Sequence, residues 1–127
     1  MAQFLSEAYL AEASETLSND AAFQSAITNV DLSIQFHVTE GPEGDVGYGL
    51  VVANGAGNLV SGEIDGPEVT VSNDYETSVG ISKGEINTQM AFMTGKLKVT
   101  GNMAALLMHQ NVINTFATAL TDVEVTY

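Results

Sequence analysis

Hydrophobic and polar positions change their period twice along this chain. Over about residues 3–17, Phe4, Leu5, Ala8, Tyr9, Ala11 and Leu17 lean to one side at helical spacing, which predicts a helix. Asn19 or Asp20 is placed to cap a second short helix carrying Phe23 and Ile27 on its inner face. The period then shortens to two. Val30, Leu32, Ile34, Phe36 and Val38 alternate with Asp31, Ser33, Gln35, His37 and Thr39, the pattern of a strand with one wet face. Gly41-Pro42-Glu43-Gly44-Asp45 reads as a turn, and a second strand over about 46–53 puts Tyr48, Leu50 and Val52 on one face. Asn54-Gly55-Ala56-Gly57 signals a hairpin loop. A third strand follows over about 59–64, Asp65-Gly66-Pro67 turns it, and Val69 and Val71 alternate in a fourth. Strands joined by such short turns predict an antiparallel meander, with its outer face largely solvated.

Helical spacing returns in the remainder. Asn73 or Asp74 caps a helix carrying Tyr75 and Val79, and Lys83-Gly84 ends it. Ile86, Met90 and Met93 mark another helix, stopped at Gly95. A short fifth strand over about 96–100 carries Leu97 and Val99 on one face and Lys96 and Lys98 on the other. A last helical region, about 102–120, shows an apolar stripe of Val112, Ile113, Phe116, Ala117 and Leu120. The element order predicts an α+β fold: a mostly antiparallel sheet with helices packed on one face. At 127 residues, the whole of 1–127 reads as a single domain.

Charge narrows the function. Sixteen acids stand against three lysines, with no arginine, for a formal net charge of −13. A chain so poor in cations has no means of neutralising phosphates, so no nucleic-acid partner is expected. Stable docking on anionic membranes is not expected either. There is no cysteine, so neither a disulfide framework nor a thiolate metal site is available. The first residues lack the basic start of a secretory signal, with Glu7, Glu12 and Glu15 among the apolar positions. No peroxisomal or ER address ends the chain at Glu124-Val125-Thr126-Tyr127. Both point to a cytoplasmic location.

Catalytic signatures are missing. Gly47-Tyr48-Gly49 lacks the third glycine of a dinucleotide fingerprint, and no nucleophile elbow or P-loop occurs. His37 falls on the polar face of its strand and His109 at a helix end; neither has a second histidine at metal-ligand spacing. The acids fall in turns, caps and wet strand faces, which gives no reason to pair Asp31 with Glu63 as acid and base. No metal, no cofactor and no catalytic residue is expected.

The chemistry that remains is soft and apolar. Every methionine except Met1 lies between Met90 and Met108: Met90, Met93, Met103 and Met108. Methionine is flexible and polarizable, and suits either a core at a helix boundary or a surface that must fit a greasy ligand of variable shape.

The text of this region is also specific. Gly84-Glu85-Ile86-Asn87 is followed by Ala91-Phe92-Met93-Thr94-Gly95-Lys96-Leu97-Lys98-Val99-Thr100-Gly101-Asn102-Met103. From Asp74 to about Leu120 the chain resembles the sterol carrier protein type-2 family of non-specific lipid-transfer proteins, whose pattern there is close to A-F-M-S-G-K-L-K-x-x-G-[DN]-x. The resemblance implies a five-stranded sheet covered by helices, with an apolar tunnel between them. It implies non-catalytic binding, and transfer inside the cell, of fatty acid, acyl-CoA or sterol-like lipids, with no cofactor. The wall residues it implies are Phe92, Met93, Met103, Leu106 and Leu107, with Met90, Met108 and Phe116 next. Lys96 and Lys98 should share a side, as headgroup cations or as charges protecting a sheet edge. The acidic balance departs from the basic character of many family members.

Two rival readings carry different consequences. The same fold could serve as an interaction or dimerisation module, so the chain is expected as a monomer or homodimer. A small isomerase would need an acid or tyrosine inside the cavity, and Tyr48 and Tyr75 are its only inward candidates.

Overall fold

The computed structural model describes residues 2–42, 44–123 and 125–126. Along the chain lie β1 (Ala2–Gln3), α1 (Glu7–Asn19), α2 (Ala21–Ala26), β2 (Leu32–Gly41), β3 (Gly44–Ala53), β4 (Ala56–Ser61), β5 (Val69–Asp74), α3 (Tyr75–Ser82), α4 (Thr88–Met93), β6 (Lys98–Gly101), α5 (Met103–Met108), α6 (Gln110–Leu120) and β7 (Val125–Thr126). The architecture is α+β, as the element order implied.

Side-chain caps set the helix starts. Asp20 Oδ1 accepts from Phe23 N at 2.8 Å, and Asp74 Oδ1 accepts from Thr77 N at 2.8 Å. Asn87 and Asn102 do the same for α4 and α5. Helix α1 begins later than the apolar spacing predicted. Leu5 adopts φ +65°, and Ser6 Oγ accepts from Tyr9 N, so Phe4 and Leu5 enter the core from a turn. The last helical region is two helices rather than one, divided at His109, which ends α5 and precedes α6.

Five strands form the main sheet in the order β4-β3-β2-β5-β6, and β1 pairs with β7 in a separate parallel ribbon. The expected four-strand meander is corrected to three. Strands β2, β3 and β4 are antiparallel neighbours, but β5 runs parallel to β2 on its far side, with Phe36 opposite Val71. Strand β6 then closes the sheet antiparallel to β5.

Gln35 explains the crossover. Its side chain is only 3% exposed, although it falls on the polar face of β2. Its Nε2 donates to the carbonyls of Tyr48 and Gly62, both at 3.1 Å, while its Oε1 accepts from Ile64 N at 2.8 Å. The segment after β4 is thereby pinned across the outer face of β3 and β2. Ile64 lies directly over Gly49, where a Cβ would stand 2.7 Å from Ile64 Cγ2. Glu68 N then reaches Ser33 O at 3.0 Å and delivers β5 beyond β2. The outer face is accordingly covered at Gln35 and Gly49, while Thr39, Asp45, Asn58, Lys98 and Thr100 around them stay exposed.

The helices fill the inner face unevenly. Over β3 and β4 the core is dense: Leu17, Phe23, Ile27 and Leu50 are fully buried, and α1 packs on β4. Ser14 Oγ on α1 accepts from Leu59 N at 2.9 Å, tying the helix to this edge strand. Helix α6 is held mainly by α1, α2 and α3. Over β2, β5 and β6 only short helices lie near, and α4 and α5 each bury a single alanine, Ala91 and Ala105.

Candidate functional site

That uneven filling leaves a cleft of about 420 Å³ between the sheet, α6 and the short helices. Its floor is Ile34 and Phe36 of β2, Tyr48 of β3 and Val71 of β5, all on the inner face by strand alternation. Phe36 stacks on Tyr48 with centroids 4.8 Å apart, and on Phe116 of α6 at 5.9 Å. Phe116 is therefore the post between helix and sheet where the dense core ends and the cleft begins. Leu97 and Val99 continue the floor towards β6.

The other wall is the methionine-rich region. Phe92 and Met93 of α4, and Met103, Leu106 and Leu107 of α5, all line the cleft. Phe92, Met93 and Leu107 are also exposed, Met93 to 78%, so the cleft opens to solvent along these two helices. The local sequence dictates this arrangement. Gly95, at φ +79°, stops α4. Gly101 has φ +106°, and a Cβ there would meet Glu68 O at 2.5 Å, so only glycine lets β6 approach β5 and turn into α5.

Six of the eight wall residues expected from sequence thus meet around one hollow: Phe92, Met93, Met103, Leu106, Leu107 and Phe116. Met90 and Met108 do not line it; they are exposed nearby, Met108 to 76%. Lys96 and Lys98 lie outside it as well, in a separate polar depression with Asp74 and Glu76. Lys98 is on edge strand β6, where charge discourages pairing with another chain. Asp74 is held below the usual carboxylate range by hydrogen bonds from Thr77, with the Lys96 charge a smaller contributor.

Apart from Tyr48, the sheet side of the cleft was not among the residues expected there, and neither were the polar Asn73, Ser78 and Ser82. Phe36 and Tyr48 carried a usable signal, since their alternation already placed them inward. Tyr48 lines the cleft, whereas Tyr75 does not. Burial, assisted by nearby Tyr9, raises the Tyr48 hydroxyl well above the ordinary tyrosine value, so it is a neutral phenol at physiological pH. Among the described residues no Asp or Glu lines the cleft, so none of them supplies the carboxylate that an isomerase-type site would use. Among the described residues, no group of acids and histidines could hold a metal ion.

The SCP-2 sterol transfer family model matches residues 10–114. The chain belongs to this family. Sterol carrier protein 2 of Homo sapiens is 33% identical over 78 residues, covering 61% of this chain and 14% of the human protein. Peroxisomal multifunctional enzyme A of Dictyostelium discoideum is 42% identical over 57 residues, covering 44% of this chain and 13% of that protein. The chain therefore spans about one-seventh of the length of these curated relatives. A crystal structure of sterol carrier protein 2 superposes with a TM-score of 0.82 at 21% identity, covering 96% of this chain and 100% of that one. That likeness carries the fold: a five-stranded, mostly antiparallel sheet with helices. Among the described residues no helix is long and apolar enough to cross a membrane.

Proposed function

We propose that this SCP-2 family chain is a non-catalytic carrier that takes up one lipid molecule in the cleft between sheet and helices. The observation that supports this reading best is the cleft itself: about 420 Å³, walled chiefly by carbon and sulfur, and opening beside Phe92, Met93 and Leu107. Its size lies within the range of about 300–1,000 Å³ common for small-molecule sites. Each CH₂ that leaves water for such a wall contributes about 0.8 kcal/mol, so ten contribute roughly 8 kcal/mol before ordering costs. Methionine and leucine at the opening adjust to chains and rings alike, which suits broad selectivity. Phe92, Met93, Met103, Leu106, Leu107 and Phe116 are the proposed contacts.

Native mass spectrometry of the freshly purified protein tests the proposal directly, with a bound lipid as the expected result. Displacement of a fluorescent lipid then tests the walls. Phe92→Asp and Met103→Asp place a carboxylate on the lining at two exposed positions, and Met103 opens α5, where an acid suits the helix start. Each variant is expected to fold and to lose about tenfold or more in affinity. Full affinity in both would remove the cleft as the site.

The exposed Met90 and Met108 support a second reading, self-association through this face, because they add apolar surface that the cleft does not use. Sedimentation of the wild type against Met90→Ser/Met108→Ser separates the two. A dimer lost in the double variant with lipid affinity unchanged would favour it.

A further inference from the structure

Methionine is ordinarily a core residue, yet in this chain it lies on the surface. Among the described residues there are four, and all are exposed: Met93 to 78%, Met108 to 76%, Met90 to 57% and Met103 to 37%. They stand on α4 and α5, the two short helices along which the cleft opens. Met93 and Met103 line the cleft, whereas Met90 and Met108 share the same helices off the lining. Each helix is seated by a buried alanine, Ala91 or Ala105, and not by a thioether. The chain has no cysteine, so these methionines carry its exposed, oxidisable sulfur.

We infer that the rim of the cleft is a site of reversible oxidation, at which conversion of Met93 and Met103 to the sulfoxide weakens the hold on a bound lipid. This rests on the lipid-carrier reading and adds a means of regulation to it. The oxidant is a two-electron peroxide such as hydrogen peroxide. A lone pair of the methionine sulfur attacks one peroxide oxygen, and the S–O bond forms as the O–O bond breaks. The proton of the transferred oxygen passes to the departing hydroxide, which leaves as water; sulfur is oxidised and the peroxide reduced. The product is a polar, chiral group in place of a flexible apolar one. At Met93 and Met103 it adds oxygen to the surface that a lipid tail covers, and covering that oxygen without a donor costs affinity. At Met90 and Met108 the oxygen stays in water, off the lining. Among the described residues no methionine belongs to the buried core, so the fold tolerates all four oxidations. Access sets their order: Met93 and Met108 react first and Met103 last.

Graded treatment of the full chain with hydrogen peroxide tests this, with peptide mapping by mass spectrometry to assign each added oxygen and Nile red titration to follow the cleft. Affinity for the dye is expected to fall by about fivefold or more once Met93 and Met103 are oxidised. The melting temperature of the empty chain should stay within about 2 °C of its starting value. Methionine sulfoxide reductases A and B, which together reduce both epimers, should restore the affinity. Unchanged affinity after complete oxidation overturns the inference while leaving the lipid site standing. A loss of affinity that comes only with a loss of the melting transition also overturns it, because unfolding would then account for it. Failure of the untreated chain to bind the dye, with no lipid in the native mass spectrum, removes the carrier reading and this one with it.

Paired variants supply a second readout. Met93→Leu/Met103→Leu keeps apolar bulk on the lining without sulfur, and Met90→Leu/Met108→Leu does the same off the lining. Each is compared with itself before and after peroxide, so any change in its starting affinity drops out. The first should lose the response, its affinity moving by less than about twofold on oxidation, and the second should respond as the wild type does. Equal responses of the two variants would contradict an oxidation site at the rim of the cleft.

Discussion

Replacing Gln35 tests how the fold presents the floor of the cleft. Its amide bonds the carbonyls of Tyr48 and Gly62 and the N–H of Ile64, at 3.1, 3.1 and 2.8 Å. In Gln35→Ala these three partners lose their bonds inside a nearly closed space. Each bond contributes about 1 kcal/mol net, and a buried N–H left unpaired adds roughly 1–3 kcal/mol. Partial access of water at exposed Gly62 offsets some of this, so the expected loss is about 3 kcal/mol. For a chain of this size that corresponds to a fall in melting temperature of about 10 °C. Urea titration followed by far-ultraviolet circular dichroism measures it, with the slope of the transition unchanged. Gln35→Glu sharpens the case, because it keeps the size but aims an acid at two carbonyls. Burial raises the folded pKa of that acid above its unfolded value of about 4.3. The variant is therefore least stable at neutral pH and recovers as pH falls and the acid takes up a proton. A loss below about 1 kcal/mol for the alanine variant, or a glutamate variant that tracks the wild-type pH profile, would refute the pinning of the crossover.

Two further perturbations follow from single groups. Asp74→Ala removes the cap of α3 and should cost about 1 kcal/mol near neutral pH. Because the Asp74 pKa is lowered in the folded state, its contribution is present above the unfolded carboxylate value and lost as pH falls through the folded one. The stability difference from wild type should therefore shrink in acid titrations. Tyr48→Phe acts at the opposite end of the scale. The Tyr48 hydroxyl is raised by burial, so it favours the folded state below about pH 10 and loses that advantage as the unfolded chain ionises above it. Alkaline unfolding monitored by circular dichroism should be shallower in Tyr48→Phe, and an unchanged alkaline limb would contradict the burial of that phenol.

Local signals in the sequence carried most of the elements. The pairs Asn19-Asp20 and Asn73-Asp74 announced their helices because a capping side chain acts on the next three residues, and in each pair the aspartate is the cap. Asn54-Gly55 announced its hairpin because both positions require positive φ, +54° and +77°. The methionine-rich wall was legible too, since Phe92, Met93, Met103, Leu106 and Leu107 lie close together in the chain. Pairings between distant segments were not legible. Val69–Asp74 alternates equally well as a fourth meander strand or as a parallel neighbour of β2, and only Gln35, which reads as a solvent-facing residue, decides between them. The place of β5 also sets which residues form the floor, so the sheet side of the cleft could not be assigned from spacing. Ser6 was hidden by Phe4 and Leu5, whose burial mimics a longer helix.

The unfilled half of the inner face bears on the thermodynamics of the whole chain. Wall atoms around an empty hollow lack dispersion partners on one side, so the vacant form holds less enthalpy of packing than its length would allow. Any occupant specific to the native state raises the unfolding free energy by mass action, about 2.7 kcal/mol at a free concentration one hundred times Kd. Melting temperature is then a direct readout of occupancy, and a thermal-shift screen ranks cargo without a label on either partner.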